Sequence, residues 1–175
     1  MMQNPPTPSE QTLLEEYRML RTDLHQRINF RFQVFNLLLV ALGAVWSVGL
    51  DKGNAHILLI YPVLALFLIL NWIHQGMIMI KLSRYLMEEL EPKLPGLNWE
   101  AWVHKDSRRF SGFSAMGLWA AGGFIVVTEV LTLALAFGMQ WGKDWSGLGM
   151  FLAVIGVAFT LLTLYFLIRY HRLTR

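Results

Sequence analysis

Four long blocks of apolar residues constrain the fold of this chain more than any other feature of its sequence. They cover residues 32–50, 56–80, 114–137 and 147–168, and each is close to or above the roughly 20 residues that a helix needs to cross a bilayer. Only 15% of the 175 residues are charged, and there is no cysteine. Ordinary soluble domains carry roughly a quarter of charged residues. We therefore predict an all-α protein, a four-helix transmembrane bundle, and exclude a disordered chain or a disulfide-stapled domain.

Lysine and arginine lie almost entirely on one side of these blocks. Of 15 such residues, 13 precede the first block, separate the second from the third, or follow the fourth. The positive-inside rule predicts that both termini and the central segment are cytoplasmic, with short outer loops at 51–54 and 138–146. We expect a multi-pass protein of a bacterial inner (plasma) membrane, with the lipid bilayer as a partner. Four aromatic residues are expected in an outer interfacial belt: Trp46, Tyr61, Trp141 and Trp145.

Amphipathic helical segments flank the first two spans on the predicted cytoplasmic side. After a tail at 1–8, which we expect to be disordered, residues 9–31 are predicted to form a helix. Its apolar positions recur at steps of three and four residues: Leu13, Tyr17, Leu20, Leu24 and Ile28. The second span is predicted to continue as a helical extension over 81–94, until Pro92 and Pro95 end it. These faces either pair within one chain or dock other subunits or a cytoplasmic partner.

Residues 97–104 have the composition of a short interfacial helix. Trp99 and Trp102 are expected at the level of the lipid headgroups as anchors, with Glu100 turned toward water. A basic cytoplasmic tail at 169–175 follows the fourth span.

Polar residues inside the spans are the candidate functional positions. Glu129 is the one acidic residue of the third span. Since a carboxylate at membrane depth costs about 2.5 kcal/mol or more, we expect it to face other helices or a water-filled space. A packing contact, pore lining and proton coupling all fit. For the polar residues of the first two spans we favour hydrogen bonds between helices over a metal or proton site: Asn36, Asn71, His74 and Gln75.

Small residues line one face of the fourth span. Gly149, Ala153, Gly156 and Thr160 follow one another at steps of four, three and four residues. Such a face allows the close approach of another helix, either from the same subunit or from a second copy.

Catalytic signatures are absent from the sequence, which contains no HExxH, GxSxG, Walker-type or GxGxxG motif. Arg18 and His25 resemble the Arg-and-His element of helical HEPN ribonucleases, although Met19 stands where that element usually has a polar residue. We predict a protein that is not an enzyme and binds no cofactor or metal, with RNA cleavage through Arg18 and His25 as the exception. Basic residues do not form a dense run with interleaved aromatics, so no nucleic-acid partner is expected.

Two stretches carry a resemblance to known proteins. LLEEYRMLRTDLHQRI, followed by a span and later by SRYLMEELEPKLPGLNWEAW, resembles small, uncharacterised four-span integral membrane proteins of bacteria. In architecture the chain is also similar to small membrane proteins of anti-phage loci, which implies an oligomeric, membrane-perturbing effector. The leading hypothesis rests on Glu129, the small-residue face of the fourth span and the cytoplasmic arms: a non-enzymatic membrane protein that forms homo-oligomers, with a pore or membrane-perturbing effector as one form. The alternatives are a scaffold for a cytoplasmic partner and a small proton-coupled transporter subunit using Glu129.

Overall fold

The computed structural model describes residues 8–94, 96–109 and 111–173, and the side-chain surroundings of 10–94, 96–106 and 121–173. Regular structure in these ranges is helical and comprises six α-helices: α1 (Pro8–Asp51), α2 (Ala55–Leu58), α3 (Tyr61–Tyr85), α4 (Trp99–Arg109), α5 (Ser111–Met139) and α6 (Gly147–Leu173). Residues 1–7 of the predicted tail lie outside the described residues, and Pro8 begins α1.

Four helical segments of the described chain are long and apolar enough to cross a membrane: Glu10–Asp51, Ala55–Lys93, Ala121–Met139 and Gly147–Leu173. Over the described residues this confirms the predicted all-α class and the four candidate spans of a multi-pass membrane protein. The first of these segments is a single helix across the predicted boundary at residues 31 and 32, because no proline interrupts it.

The length of the second apolar block predicted one continuous helix, but the structure divides the block into two helices. α2 ends at Leu58, and α3 begins at Tyr61 with Pro62 in its first turn. Because Pro62 has no backbone N–H, it cannot donate to the carbonyl of Leu58, and a helix tolerates proline only in its first turn. The Asn54 side chain caps α2 by accepting a hydrogen bond from the His56 N–H at 3.0 Å.

The helical extension after the second span also differs from a regular α-helix. α3 ends at Tyr85, a single π-turn follows over Leu86–Leu90, and a 3₁₀ turn covers Glu91–Lys93. Pro92 explains the change, since it removes the amide that a continuing α-helix would need. Gly96 then has a φ of 88°, which a residue with a side chain rarely adopts.

The later helices extend beyond their predicted ends. α4 runs to Arg109 and α5 from Ser111 to Met139, where the sequence predicted 97–104 and 114–137. α6 continues to Leu173, so described residues of the predicted basic tail are helical rather than a separate segment. His171 and Arg172 lie in its last turn, where positive charge stabilises the negative end of the helix dipole.

The chain forms two compact units. The first comprises residues up to 31 together with 74–112, and the second comprises 32–73 and 113–175. The core of the first unit contains Tyr17, Leu86, Leu90 and Leu94, with partly buried leucines around them. The core of the second unit is formed by α2 and the neighbouring turn together with α5 and α6: Ala55, Leu58, Leu59, Leu133, Ala136 and Ala153.

Candidate functional site

Glu129 lies on the buried face of α5 in the second unit. That face repeats at helical spacing: Ile125, Thr128, Glu129, Thr132, Leu133 and Ala136. Glu129 is 0% exposed, and its Oε1 accepts a hydrogen bond from Thr163 Oγ1 at 3.0 Å. Its Oε2 is also buried and has no hydrogen-bond partner. Protein therefore encloses the carboxyl, and within a single chain Glu129 does not reach a surface.

The small-residue face of α6 allows this burial. Its four predicted positions, Gly149, Ala153, Gly156 and Thr160, are all buried within the chain. A Cβ built on Gly156 would lie 3.0 Å from Leu133 Cδ2, and one on Gly149 would lie 2.6 Å from His56 Nε2. A side chain at either position would therefore require Leu133 or His56 to shift. In this structure the face packs against residues of the same chain.

Further hydroxyl groups are buried near Glu129 and form hydrogen bonds with one another and with the indole of Trp46. Thr132 Oγ1 accepts a hydrogen bond from the Trp46 indole at 2.7 Å and donates to the Thr128 carbonyl at 2.7 Å. The hydroxyls of Tyr61 and Thr128 lie 2.9 Å apart. We call the whole set the intramembrane polar cluster: Trp46, Tyr61, Thr128, Glu129, Thr132, Thr160 and Thr163.

The outer-belt prediction is wrong for Tyr61, which is 0% exposed. The start of α3 directs its ring inward, where Thr128 provides a partner for the hydroxyl. Thr128 and Thr132 were not predicted from the sequence. The signal was their position on the same helix face as Glu129, one residue before it and three after it.

The polar residues of the first two spans do not join this cluster. Asn36 on α1 and both Asn71 and His74 on α3 are exposed, and none of their side chains makes a hydrogen bond within the described structure. Gln75 is half-buried and accepts a hydrogen bond from Arg27 Nη1 at 3.0 Å. The hydrogen bonds between helices that we expected therefore occur, among these four positions, only at Gln75.

The apolar part of α1 is the least buried of the four candidate spans. Only 11% of its apolar window is buried, against 50%, 39% and 28% for the other three. One exposed stripe follows steps of four, three, one and three residues: Asn36, Val40, Gly43, Ala44 and Ser47. A Cβ built on Gly43 would meet nothing within 4 Å. We call these five residues the α1 stripe.

Two buried carboxylates organise the first unit. Glu91 accepts hydrogen bonds from the backbone N–H groups of Glu100 (2.7 Å) and Ala101 (3.1 Å), and so caps the first turn of α4. Glu100 accepts from Arg21 Nη1 and from Ser83 Oγ, the latter at 2.6 Å. The expectation that Glu100 faces water is wrong: it is 5% exposed, because Arg21 supplies the opposite charge.

The predicted arm on α1 packs largely within the first unit. Tyr17 is buried against Leu86, Leu90 and Leu94, and Leu13 and Leu20 pack on the same cluster. Burial raises the pKa of Tyr17, with Arg21 opposing the shift and nearby carboxylates adding to it. Leu24 is buried and Ile28 is half-buried.

The two predicted anchors, Trp99 and Trp102, are exposed on α4. Their exposed fractions are 52% and 57%, and their ring centroids lie 5.6 Å apart. The Arg21 guanidinium lies 5.7 Å from the centroid of the Trp99 ring, within the range of a cation–π contact.

Arg18 and His25 are both exposed on α1, and no hydrogen bond joins them in the described structure. His25 Nδ1 instead lies 2.9 Å from the Arg21 carbonyl. Among the residues that the structure describes, no group of three or more His, Cys, Asp or Glu side chains is arranged to hold a metal ion.

No protein family, curated protein or solved structure matches this chain.

Proposed function

We propose that the chain is a non-enzymatic, multi-pass protein of a bacterial inner membrane that self-associates, and that a second copy packs on the α1 stripe. The observation that carries the proposal is the exposure of polar and small residues along one face of an otherwise apolar helix. In this arrangement four helices form the transmembrane bundle, and the first and second spans carry long cytoplasmic extensions. The distribution of lysine and arginine supports cytoplasmic termini.

Lipid tails offer no hydrogen bonds, so the polar groups of Asn36 and Ser47 gain from a protein partner. Hydrogen bonds between membrane helices contribute about 1 kcal/mol each. Gly43 and Ala44, between these two residues, allow the backbones to approach closely. The exposed face of α5 offers a contrast, since Val127, Val130 and Leu131 there are apolar and suit lipid.

A second copy of the chain fits this stripe better than an unrelated partner does. All copies insert with the same orientation, so identical residues lie at the same depth in two parallel α1 helices. Asn36 of one copy then meets Asn36 of the other, and an amide both donates and accepts. Ser47 is self-complementary for the same reason. This is the symmetry of an isologous two-fold interface.

The scaffold alternative receives less support, because Leu13, Tyr17 and Leu20 already pack within the first unit. A pore or membrane-perturbing assembly remains one form of the proposed oligomer, in which surfaces other than the enclosed Glu129 would line the pore.

Cysteine cross-linking in native membranes tests the interface, since the chain has no cysteine of its own. Ala44→Cys is expected to form disulfide-linked dimers under mild oxidation. The matched control is Ala134→Cys, an exposed alanine on the apolar face of α5, which is expected to stay monomeric.

A mass measurement in mild detergent tests two points separately: whether the chain self-associates, and whether it does so through the α1 stripe. The unaltered chain should give an oligomer, Ala44→Leu should shift it toward the monomer, and Ala134→Leu should not. A strictly monomeric unaltered chain would refute self-association. An oligomer insensitive to Ala44→Leu would refute the α1 stripe alone.

A further inference from the structure

We propose that Glu129 is a proton-binding site within the membrane-embedded unit, and that its carboxyl carries one proton on Oε2 at neutral pH. The contact between α5 and α6 then depends on that proton. This inference is independent of the α1 stripe, because it rests on the enclosure of a single carboxyl and on the partners of its two oxygens.

Among the described residues, no positive charge balances a carboxylate at Glu129. The residue is 0% exposed, and the hydroxyl that donates to its Oε1, that of Thr163, is neutral. Ion pairs of the described chain hold Glu100, Asp23 and Glu89, and Glu129 is in none of them. An unpaired buried charge costs several kcal/mol, and binding a proton removes that cost.

The two carboxyl oxygens differ in a way that locates the proton. Oε1 accepts the hydrogen bond from Thr163 and therefore acts as the carbonyl oxygen. Oε2 is buried without a partner, so it is the oxygen free to carry the hydrogen. Release converts the carboxyl into a carboxylate and passes the proton to a base in the solvent.

Among the residues whose side chains the structure describes, the elements around Glu129 bring no second charge to the site. From α3 the titratable group is Tyr61, whose hydroxyl lies 2.9 Å from Thr128 Oγ1. α6 contributes the hydroxyls of Thr160 and Thr163, and α1 contributes the Trp46 indole through Thr132. Tyrosine is uncharged at neutral pH, so the site takes up a single proton.

A sodium ion is the competing ligand, because carboxylate and hydroxyl oxygens are hard ligands. Oε2, however, has no hydrogen-bond partner, so a cation bound there would lack the several oxygen ligands that hard metal ions take. Among the described residues, no group of three or more His, Cys, Asp or Glu side chains that could hold a metal ion includes Glu129. These observations favour a proton.

Infrared spectroscopy of the full chain in lipid bilayers at neutral pH, in a sodium-free choline buffer, tests the proposal. The expected result is the C=O band of a protonated carboxyl, which shifts in D₂O and on ¹³C labelling of glutamate. Glu129→Gln should remove the band, because the amide is neutral and nearly isosteric. Glu89→Gln, at an exposed carboxylate paired with Lys93, should leave it unchanged.

Three results would overturn the proposal. The first is the absence of the band from the unaltered chain, and the second is its persistence in Glu129→Gln. The third is its loss when sodium replaces choline at constant pH, which would identify a cation site. The isotope-labelled, unaltered chain gives the first and third readings by itself. If Glu129→Gln does not insert, Glu91→Gln and Glu100→Gln, at the other buried glutamates of the described chain, should each leave the band unchanged, and loss of the band in either would overturn the assignment to Glu129.

Discussion

Removing one partner of the Arg21–Glu100 pair gives the sharpest test of how the first unit is held together. The Arg21→Gln substitution takes the guanidinium from Glu100 and leaves the hydroxyl of Ser83 as the remaining side-chain donor. Side-chain exposure is 23% for Arg21 and 6% for Glu100, so the Glu100 carboxylate that loses its cation remains almost fully buried.

The expected loss of stability follows from that burial. Removing one partner of a buried ion pair costs about 3–5 kcal/mol, and the partial exposure of Arg21 places this pair near the lower end. The double variant Arg21→Gln/Glu100→Gln should recover most of the loss, because two neutral amides leave no buried charge. The cation–π contact with Trp99 contributes less, about 0.5–1 kcal/mol.

The loss of stability around Glu100 can be measured by amide hydrogen exchange with mass spectrometry over residues 86–106. A loss of about 3 kcal/mol in opening free energy corresponds to exchange roughly a hundredfold faster. The control is Lys93→Gln, which removes a cation from a pair whose side chains are 55% and 59% exposed. Exposed pairs contribute at most about 1 kcal/mol, so its exchange should change only severalfold.

Equal effects of Arg21→Gln and Lys93→Gln would show that burial does not govern the cost of removing a cation. A double variant no more stable than Arg21→Gln would show that the unpaired charge of Glu100 is not the cause of the loss.

Three further predictions concern packing and capping. Glu91→Ala leaves two backbone N–H groups at the start of α4 without their acceptor and should cost about 1–3 kcal/mol, measured by exchange at residues 99–103. Gly49→Ala places a Cβ 2.6 Å from Leu58 Cδ2 and should lower the thermal midpoint, whereas the Cβ of Gly123→Ala on α5 meets nothing within 4 Å and should not. Leu86→Ala empties a fully buried position and should destabilise the first unit by about 2–5 kcal/mol; full resistance to proteolysis would contradict this.

The sequence predicted the four apolar helices because their signal is length and apolarity, which tertiary packing does not alter. The break before Pro62 was also readable in principle, since it depends on a missing amide four residues after Leu58. Length alone obscured it, because the block remains apolar on both sides of the break.

The surroundings of individual polar residues were harder to predict. A span that is apolar all round carries no periodicity to show which face is buried, so the exposure of Asn36 and Asn71 was not readable. Glu100 was wrongly predicted to face water because its partner, Arg21, lies 79 residues earlier in the chain. The presence of Thr128 and Thr132 only weakly indicated a polar site around Glu129. A threonine hydroxyl in a helix can donate its hydrogen bond to a backbone carbonyl of the preceding turn, as both do here, so it does not require a partner on another helix.

The 79-residue separation of Arg21 and Glu100 has a consequence for biosynthesis. At a translation speed of about 5–20 residues per second, Arg21 emerges roughly 4–16 seconds before its partner. Two apolar segments, which must be delivered to the bilayer, are synthesised in that interval. During this time the leucine-rich face around Tyr17 lacks the surface that later covers it, so a nascent chain should be most open to chaperones and proteases before residue 100 is made.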